Sequence, residues 1–219
     1  MFKTSSKIFS QFILISGVLL MIVPIWIIFA SSTHSNSVIQ SDGMQWFMGD
    51  QFIKNYDQVL NKKGGFSQEV TATKLFLNSF IMAIGIATLT IITSLMAAYT
   101  IVYFRFKFAV PLFWAIFITL LVPLELRIMP SYQIVSDLHL INTYTGLILP
   151  LSASAIATFF FRQFYLSIPD ELLEAAKLDG ANSWKFFIDF LLPLSKTMMA
   201  AMFIFMFVYG YSQYLWPLI

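Results

Sequence analysis

Long apolar runs alternate with short polar connections along this chain, and five of the runs are long enough to cross a lipid bilayer. A helix rises about 1.5 Å per residue, so the roughly 30 Å hydrocarbon core requires about 20 apolar residues. The runs lie at about 8–30, 75–104, 108–126, 144–161 and 194–219. Helices satisfy their own backbone groups in lipid, so the pattern predicts an all-α, polytopic membrane bundle forming a single transmembrane domain over 1–219.

The first run follows Lys3 and Lys7, as the apolar core of a signal peptide does. It is longer than the roughly 7–15 apolar residues of such a peptide, and it contains Pro24. We therefore expect a retained membrane anchor, and a cleaved signal peptide is the alternative.

The connection between the first two runs, at about 31–73, mixes Asn, Gln and Ser with Trp46 and Phe47. It is too short to bury a sizeable core of its own. A solvated connector on the outer side of the membrane is the expectation. A helix over 51–60 that lies in the membrane interface is the alternative.

Small residues recur four positions apart in the second and fourth runs, and this spacing places each pair on one helix face. The pairs are Ala83/Ala87, Ser94/Ala98 and Ala153/Ala157. Because small side chains let two helices approach closely, both runs are expected to pack against protein. The alternative is that the pairs line a polar path, and it also implies that both runs face protein and not lipid.

The composition supports lipid as the surrounding solvent. The chain is 58% hydrophobic and 11% charged, whereas soluble domains carry about 25% charged residues. A formal net charge of +2 without a basic run indicates no nucleic-acid partner. The absence of cysteine excludes disulfides and thiolate chemistry.

The chain also lacks the residue patterns of an enzyme. It has no Gly-x-x-x-x-Gly-Lys-Ser/Thr loop, so it is not expected to bind nucleotide. Its two histidines, His34 and His139, lack metal-ligand spacing. Neither a metal site nor a Ser-His-Asp arrangement is therefore predicted.

The most informative stretch is the polar segment at about 162–193, because its charges would be unsatisfied in hydrocarbon and must emerge from the membrane. Ser167 is predicted to cap a helix in a capping-box-like pattern with Asp170. Gly180 favours the left-handed conformation that ends a helix, which places the helix end at about Leu178.

A second helix is predicted to follow, capped by Asn182 or Ser183 and leading through Leu192 and Pro193 into the last span. A helix, a sharp turn and a second helix would thus lie at the membrane face, with small residues flanked by acids. Such a knob suits a groove on a partner protein, and an ordinary interfacial loop is equally compatible with the pattern.

Basic residues are unevenly divided between the two sides of the membrane. One side carries Lys3, Lys7, Arg105, Lys107, Arg162, Lys177, Lys185 and Lys196. The other side carries Lys54, Lys62, Lys63, Lys74 and Arg127. Most of the second group lies in the long loop, where charge has less influence, so the positive-inside rule places the N-terminus and the polar segment in the cytoplasm.

The polar segment also carries a family resemblance. Glu174-Ala175-Ala176, Gly180 and Leu192-Pro193 stand in the order and spacing of the cytoplasmic signature of ABC importer permeases. Phe190 occupies a position that is usually Ile, and Thr197 one where many relatives have Pro. The chain therefore resembles the permeases of the sugar, or maltose-type, ABC importers.

Within that class, four stretches resemble permeases of sn-glycerol-3-phosphate importers. They lie at 123–130, 160–164, 192–197 and 209–218. The resemblance implies import of sn-glycerol-3-phosphate or a related glycerophospho compound, with an oligosaccharide as the alternative. An ATP-independent transporter or channel subunit, and an assembly or sensor protein that uses the polar segment as a tether, are the competing interpretations.

The resemblance implies a multi-pass protein of the bacterial cytoplasmic (inner) membrane with several partners. These are a second permease subunit, an ATPase dimer at the cytoplasmic face, a periplasmic or extracellular substrate-binding protein, and membrane lipid, with no nucleic acid. ATP and Mg would be bound by the ATPase. No cofactor or metal is therefore expected on this chain, which is a transport subunit and not an enzyme.

The resemblance also implies which residues act. The polar segment would contain the coupling helix that enters a cleft on the ATPase, through Glu171, Glu174, Ala175, Ala176, Asp179, Gly180 and Ala181. A phosphate-bearing substrate needs cationic or amide donors, so Arg127, Tyr211 and Gln213 are candidates for the substrate path. The family has six spans and five are found here, so we expect the sequence to be a fragment that lacks the last span.

Overall fold

The computed structural model describes residues 2–62, 70–104 and 106–218, which are mostly helical. The chain divides into two compact units, Met1–Phe76 and Leu77–Ile219. The first unit contains α1 (Phe2–Ser32), α2 (Asn36–Asp42) and α3 (Phe52–Asn61). The long helix α4 (Ala72–Tyr103) begins in the first unit and continues through the second.

Eight further helices follow in the described part of the second unit. They are α5 (Ala109–Ile118), α6 (Leu124–Asp137), α7 (Tyr144–Ile148), α8 (Ala155–Leu166), α9 (Asp170–Leu178), α10 (Ser183–Phe186), α11 (Leu192–Leu194) and α12 (Lys196–Tyr211). Among the described residues, three helices are long and apolar enough to span a bilayer alone, and two bent helix pairs raise the number to as many as five if each pair is one broken span. The predicted all-α, polytopic membrane bundle is confirmed.

The connection after α1 is folded and contains the helices α2 and α3, while its placement in water or in the membrane interface stays a prediction. Asn55 Nδ2 donates to the carbonyls of Ser32 and His34 at 2.9 and 2.8 Å, and the Ser32 and Tyr56 hydroxyls lie 3.0 Å apart. These bonds hold α3 against the end of α1. The helix of the alternative interpretation is therefore present, one residue displaced from its predicted start.

Small residues let α4 pack closely against its neighbours in the second unit. Ala83, Ala87, Ser94 and Ala98 are all buried. A Cβ placed on Gly210 of α12 would lie 3.2 Å from the Cα of Ala83, which shows how near the two backbones are. The predicted packing role of the Ala83/Ala87 and Ser94/Ala98 pairs is confirmed.

The prediction for the third pair is wrong, because the fourth predicted span is broken. α7 runs into a 3₁₀ turn (Leu149–Leu151), and α8 begins at Ala155 with a bend of 51° between the two parts. Ala153 lies in this gap and is exposed, so it shares no helix face with Ala157. The Ser154 side chain caps α8 by accepting a bond from the backbone N–H of Ala157 at 3.3 Å.

Hydroxyl groups of α4 satisfy the backbone of this break. Thr93 Oγ1 donates to the Ser152 carbonyl at 3.3 Å, and Ser94 Oγ donates to the Ser154 carbonyl at 3.4 Å. Thr158 Oγ1 of α8 donates to Ser94 Oγ at 3.3 Å and so extends the network. An interruption within an apolar region needs such internal partners, because lipid supplies none.

The third predicted span, 108–126, is also interrupted, which corrects its predicted extent. α5 ends in a 3₁₀ turn (Thr119–Leu121), and α6 starts at Leu124 after a sharp bend. Pro123 has no N–H, and its ring restricts Val122 to the extended backbone it adopts, with φ −89° and ψ 111°. The apolar run therefore continues past the point where the helix stops.

The entry to α12 contains a π-helical turn (Phe187–Leu191) immediately before Pro193. A proline inside a helix lacks a donor and crowds the carbonyl four residues earlier, and a wider turn relieves that crowding. Ser195 Oγ donates to the Leu191 carbonyl at 2.6 Å. The predicted path through Leu192 and Pro193 into the last span is thus present, with a local widening.

Gly146, in α7, lies where chain segments meet without room for a side chain. Its carbonyl accepts a bond from Trp216 Nε1 at 3.3 Å, and its N–H donates to Thr143 Oγ1 at 3.1 Å. A Cβ at this position would overlap the backbone carbonyl oxygen of Leu140. Backbone atoms cannot rotate away as a flexible side chain can.

We predict that Gly146→Ala destabilises the folded protein by about 1–3 kcal/mol, the usual cost of overpacking. The apparent melting temperature in detergent should fall by several degrees. Gly17→Ala is the matched control, because a Cβ at Gly17 meets nothing within 4 Å. Equal melting temperatures for the two variants would contradict the packing described for Gly146.

Candidate functional site

The polar segment begins differently from the prediction. Ser167 ends α8, with helical backbone angles, and its hydroxyl donates to the Phe164 carbonyl at 2.6 Å. α9 starts only at Asp170, after Pro169 in an extended conformation. A proline disfavours helical angles in the residue before it, which here is the residue between Ser167 and Pro169. A helix therefore cannot run from Ser167 through Pro169 into α9, and the predicted capping box is wrong.

The turn after α9 has the predicted form. α9 ends at Leu178, and Gly180 adopts a positive φ of +75°, which L side chains rarely tolerate. The Gly180 N–H donates to the Lys177 carbonyl at 3.0 Å. Asn182 then caps α10 by accepting a bond from the Lys185 N–H at 2.8 Å, so of the two predicted caps it is Asn182 that acts.

Aromatic packing and one hydrogen bond fix the polar segment to the end of α4. Tyr99 Oη donates to the Ser183 carbonyl at 2.7 Å. The ring centroids of Tyr99 and Phe187 are 5.0 Å apart, and those of Tyr103 and Phe186 are 5.4 Å apart. Phe186 is almost completely buried, so the start of the second helix is anchored in the core that includes α4.

The candidate coupling residues do not all face outward. The exposed ones are Glu171, Glu174, Ala175, Asp179 and Gly180, and Ala181 is half-buried. Ala176 is only 1% exposed and belongs to the hydrophobic core. It was expected on the surface that contacts a partner, and in this structure it is not on the surface. Its small size instead lets α9 lie close to the rest of the unit.

Leu178 is the residue that sequence reasoning missed. Its side chain is 89% exposed, more than any other large apolar side chain described in the structure. Residues two apart on a helix point in nearly opposite directions, so the buried position of Ala176 turns Leu178 outward. That spacing was visible in the sequence, and it marks a leucine at the tip of the polar segment that is free to contact a partner.

A cavity of about 230 Å³ lies at the other end of α8. Its polar lining comes from the 3₁₀ turn after α5, from α6, from the break before α8 and from α12. These residues include Thr119, Arg127, Ser131, Ser154 and Tyr209. The cavity is thus formed where the third and fourth predicted spans are interrupted.

The cavity has the chemistry of an anion site. Ala155 and Ile156, the first residues of α8, line it, and the first N–H groups of a helix lack intrahelical partners. A helix N-terminus carries partial positive charge and suits phosphate or carboxylate. Arg127 adds a full positive charge and a planar set of donors to the same cavity.

The two other candidates for the substrate path lie elsewhere. The Tyr211 ring stacks on Phe207 with centroids 6.0 Å apart, and Gln213 Nε2 donates to the Tyr209 carbonyl at 3.3 Å. Neither lines the cavity that contains Arg127, whereas Tyr209 does. The stretch 209–218 therefore does contribute to the cavity, but through Tyr209 and not through Tyr211 or Gln213.

The absence of a metal site stays a prediction. Over 2–62, 70–104 and 106–218 there is no group of three or more His, Cys, Asp or Glu side chains with the proximity to hold an ion. The described cavity offers donors for an anion rather than carboxylates for a cation.

The known proteins that are similar to this chain agree with one another in their description. Residues 4–219 match the family described as "Binding-protein-dependent transport system inner membrane component". The chain is 45% identical over 216 residues to the sn-glycerol-3-phosphate transport system permease protein UgpE of Rhizobium meliloti (strain 1021), covering 98% of this chain and 76% of that protein. It is 46% identical over 217 residues to UgpE of Agrobacterium fabrum (strain C58), with the same coverage of each chain.

A solved structure has the same fold. It is that of a bacterial ABC transporter involved in the import of the acidic polysaccharide alginate, with a TM-score of 0.74 and 22% identity. The match covers 97% of this chain and 73% of the other. The likeness confirms the helical permease architecture expected from the sequence.

We predict that Tyr99→Phe loosens the polar segment without unfolding the permease. A neutral hydrogen bond contributes about 0.5–1.5 kcal/mol, so amide exchange in the peptide spanning α10 should accelerate by roughly 2–13-fold. Tyr144→Phe is the matched control, because it removes a 2.7 Å bond to Asn78 outside this segment. If both variants exchange like the parent protein over α10, the anchoring role of Tyr99 is contradicted.

Proposed function

Because the chain belongs to the family of binding-protein-dependent transport system inner membrane components, we propose that it is the permease subunit of an ATP-driven importer for sn-glycerol-3-phosphate or a related glycerophospho compound. Family membership makes it a multi-pass inner-membrane transport protein. The cavity at the start of α8, which Arg127 and the first residues of that helix line together, is the observation that carries the choice of substrate.

The size of the cavity also favours a small solute. At about 230 Å³ it is below the roughly 300–1,000 Å³ of sites for drug-sized ligands. A neutral oligosaccharide has no charge for Arg127 to neutralise, and any oligosaccharide, neutral or acidic, needs more room. A single phosphate group satisfies both the guanidinium and the N-terminus of α8.

The proposed orientation places the N-terminus and the polar segment in the cytoplasm. The balance of lysine and arginine supports this orientation. A helix, turn and helix that expose Leu178 together with Glu174 and Asp179 would then face the ATPase. The apolar side chain offers an anchor for a pocket, and the two carboxylates offer partners for basic or amide donors around it.

The assembly we propose has a second permease, an ATPase dimer and an extracytoplasmic substrate-binding protein. ATP hydrolysis belongs to the ATPase, so this chain converts closure of that dimer into movement of its own helices. Tyr99 and the aromatic rings around it join the polar segment to α4. The segment and the spans therefore move together, as a rigid-body switch requires.

We predict that Leu178→Asp and Glu174→Lys each abolish co-purification of the ATPase with this permease in detergent. The first places a charge in the proposed apolar contact, and the second reverses the charge beside it. Leu138→Asp is the matched control, because Leu138 is an exposed leucine at the end of α6, outside the polar segment. Retention of the ATPase and of full uptake by both variants would overturn the docking role.

We predict that Arg127→Gln raises the KM for uptake of labelled sn-glycerol-3-phosphate by roughly 10-fold or more, since a hydrogen bond to a charged group contributes about 1.5–3 kcal/mol. Arg127→Lys, which keeps the charge, should recover part of the loss. ATPase co-purification should be unchanged in both variants. An unchanged KM, or preference of the reconstituted importer for a disaccharide, would refute the phosphate site.

A further inference from the structure

Residues 43–53, which we call the apolar loop, comprise the connection from α2 to α3 and the first two residues of α3, and they expose a dense group of apolar side chains. The members are Met44, Trp46, Phe47, Met48, Phe52 and Ile53. Phe47 is 84% exposed and Ile53 is 80% exposed. In a connection surrounded by water, this much clustered apolar surface would be unfavourable.

The apolar loop folds back along α1 and does not extend away from it. Trp26 Nε1 donates to the Trp46 carbonyl at 3.0 Å. The Gly49 N–H donates to Thr33 Oγ1 at 2.6 Å. The loop is therefore held beside the last turns of α1.

Three consecutive backbone carbonyls in the loop each receive a donor from the C-terminal part of α1 or the residues just after it. Ser31 Oγ donates to Gln45 at 3.4 Å, and Trp26 donates to Trp46. His34 Nε2 lies 3.0 Å from the Phe47 carbonyl oxygen and must donate, because a carbonyl only accepts. In water such carbonyls need no protein partner, whereas in lipid every one of them does.

The level of Trp26 along α1 sets the depth of the loop. Trp26 precedes the helix end at Ser32 by six residues, which corresponds to about 9 Å along the axis. The apolar part of α1, Phe9–Ser32, has 24 residues and is about 36 Å long, so each end extends roughly 3 Å beyond a 30 Å hydrocarbon core. With α1 centred in the bilayer and parallel to its normal, a Trp46 carbonyl at the level of Trp26 would lie roughly 6 Å inside that boundary, a typical depth for an interfacial segment.

We propose that the apolar loop is a second membrane anchor, inserted at the boundary between head groups and acyl chains in the leaflet that contains the C-terminal end of α1. Its occupant is lipid, because its apolar surface continues that of α1, whose apolar window is not buried at all within the described residues. Asp42, just before the loop, and Asp50, within it, remain at the level of the head groups. The loop thus fixes the height of α2 and α3 relative to the membrane.

The absence of cysteine in the sequence makes the test direct. Phe47→Cys and, separately, Ile53→Cys are labelled with a nitroxide in the full importer, assembled with other subunits whose cysteines have been replaced, and reconstituted in liposomes. Power-saturation spectroscopy then compares collisions with oxygen, which concentrates in lipid, and with a water-soluble nickel chelate. Gln40→Cys, on the exposed surface of α2, is the control.

Lipid insertion requires that both loop labels collide strongly with oxygen and weakly with the chelate, while the control label shows the reverse. Strong collision of the loop labels with the chelate would place the loop in water and overturn the proposal. Weak collision with both reagents would show that a protein partner covers the loop, and it would overturn the proposal equally. The result does not depend on the transported solute or on the ATPase.

Discussion

A bilayer offers no hydrogen-bond partner, and this structure depends on meeting that constraint wherever its helices are interrupted. At the break before α8, the carbonyls of Ser152 and Ser154 accept bonds from Thr93 and Ser94 of α4. At the entry to α12, the Ser195 hydroxyl satisfies the Leu191 carbonyl. At these two interruptions a hydroxyl group supplies a donor to the backbone, and the break before α8 also lines a polar cavity.

Local chemistry made part of this architecture predictable. Long apolar runs located the spans, and the turn at Gly180 with the cap at Asn182 followed from the conformational freedom of glycine and the short side chain of asparagine. The bends were not predicted, because an apolar run continues unchanged across Pro123. Hydropathy indicates whether a segment lies in lipid or in water, whereas prolines and tertiary contacts decide where its helix stops.

In the candidate sites, too, local sequence predicted some features and tertiary packing decided the others. The sequence identified the polar segment and Arg127, yet only packing decides which side of α9 is free. Ala176 turns inward and Leu178 outward because the helix must lie on the rings of Tyr103 and Phe186. Likewise the stretch around Tyr211 was recognised as unusual, but Tyr209 is the member whose direction leads to the cavity.

α8 joins the two sites at which we propose that this protein contacts other molecules. It has 12 residues, starts at the cavity wall and ends within the first turn of the polar segment, a distance of about 18 Å. Three turns of hydrogen-bonded helix change little in length under load. If a phosphate binds at the first turn and the ATPase docks near the last, a displacement at one end is therefore transmitted to the other by the helix backbone itself, without a chain of side-chain contacts.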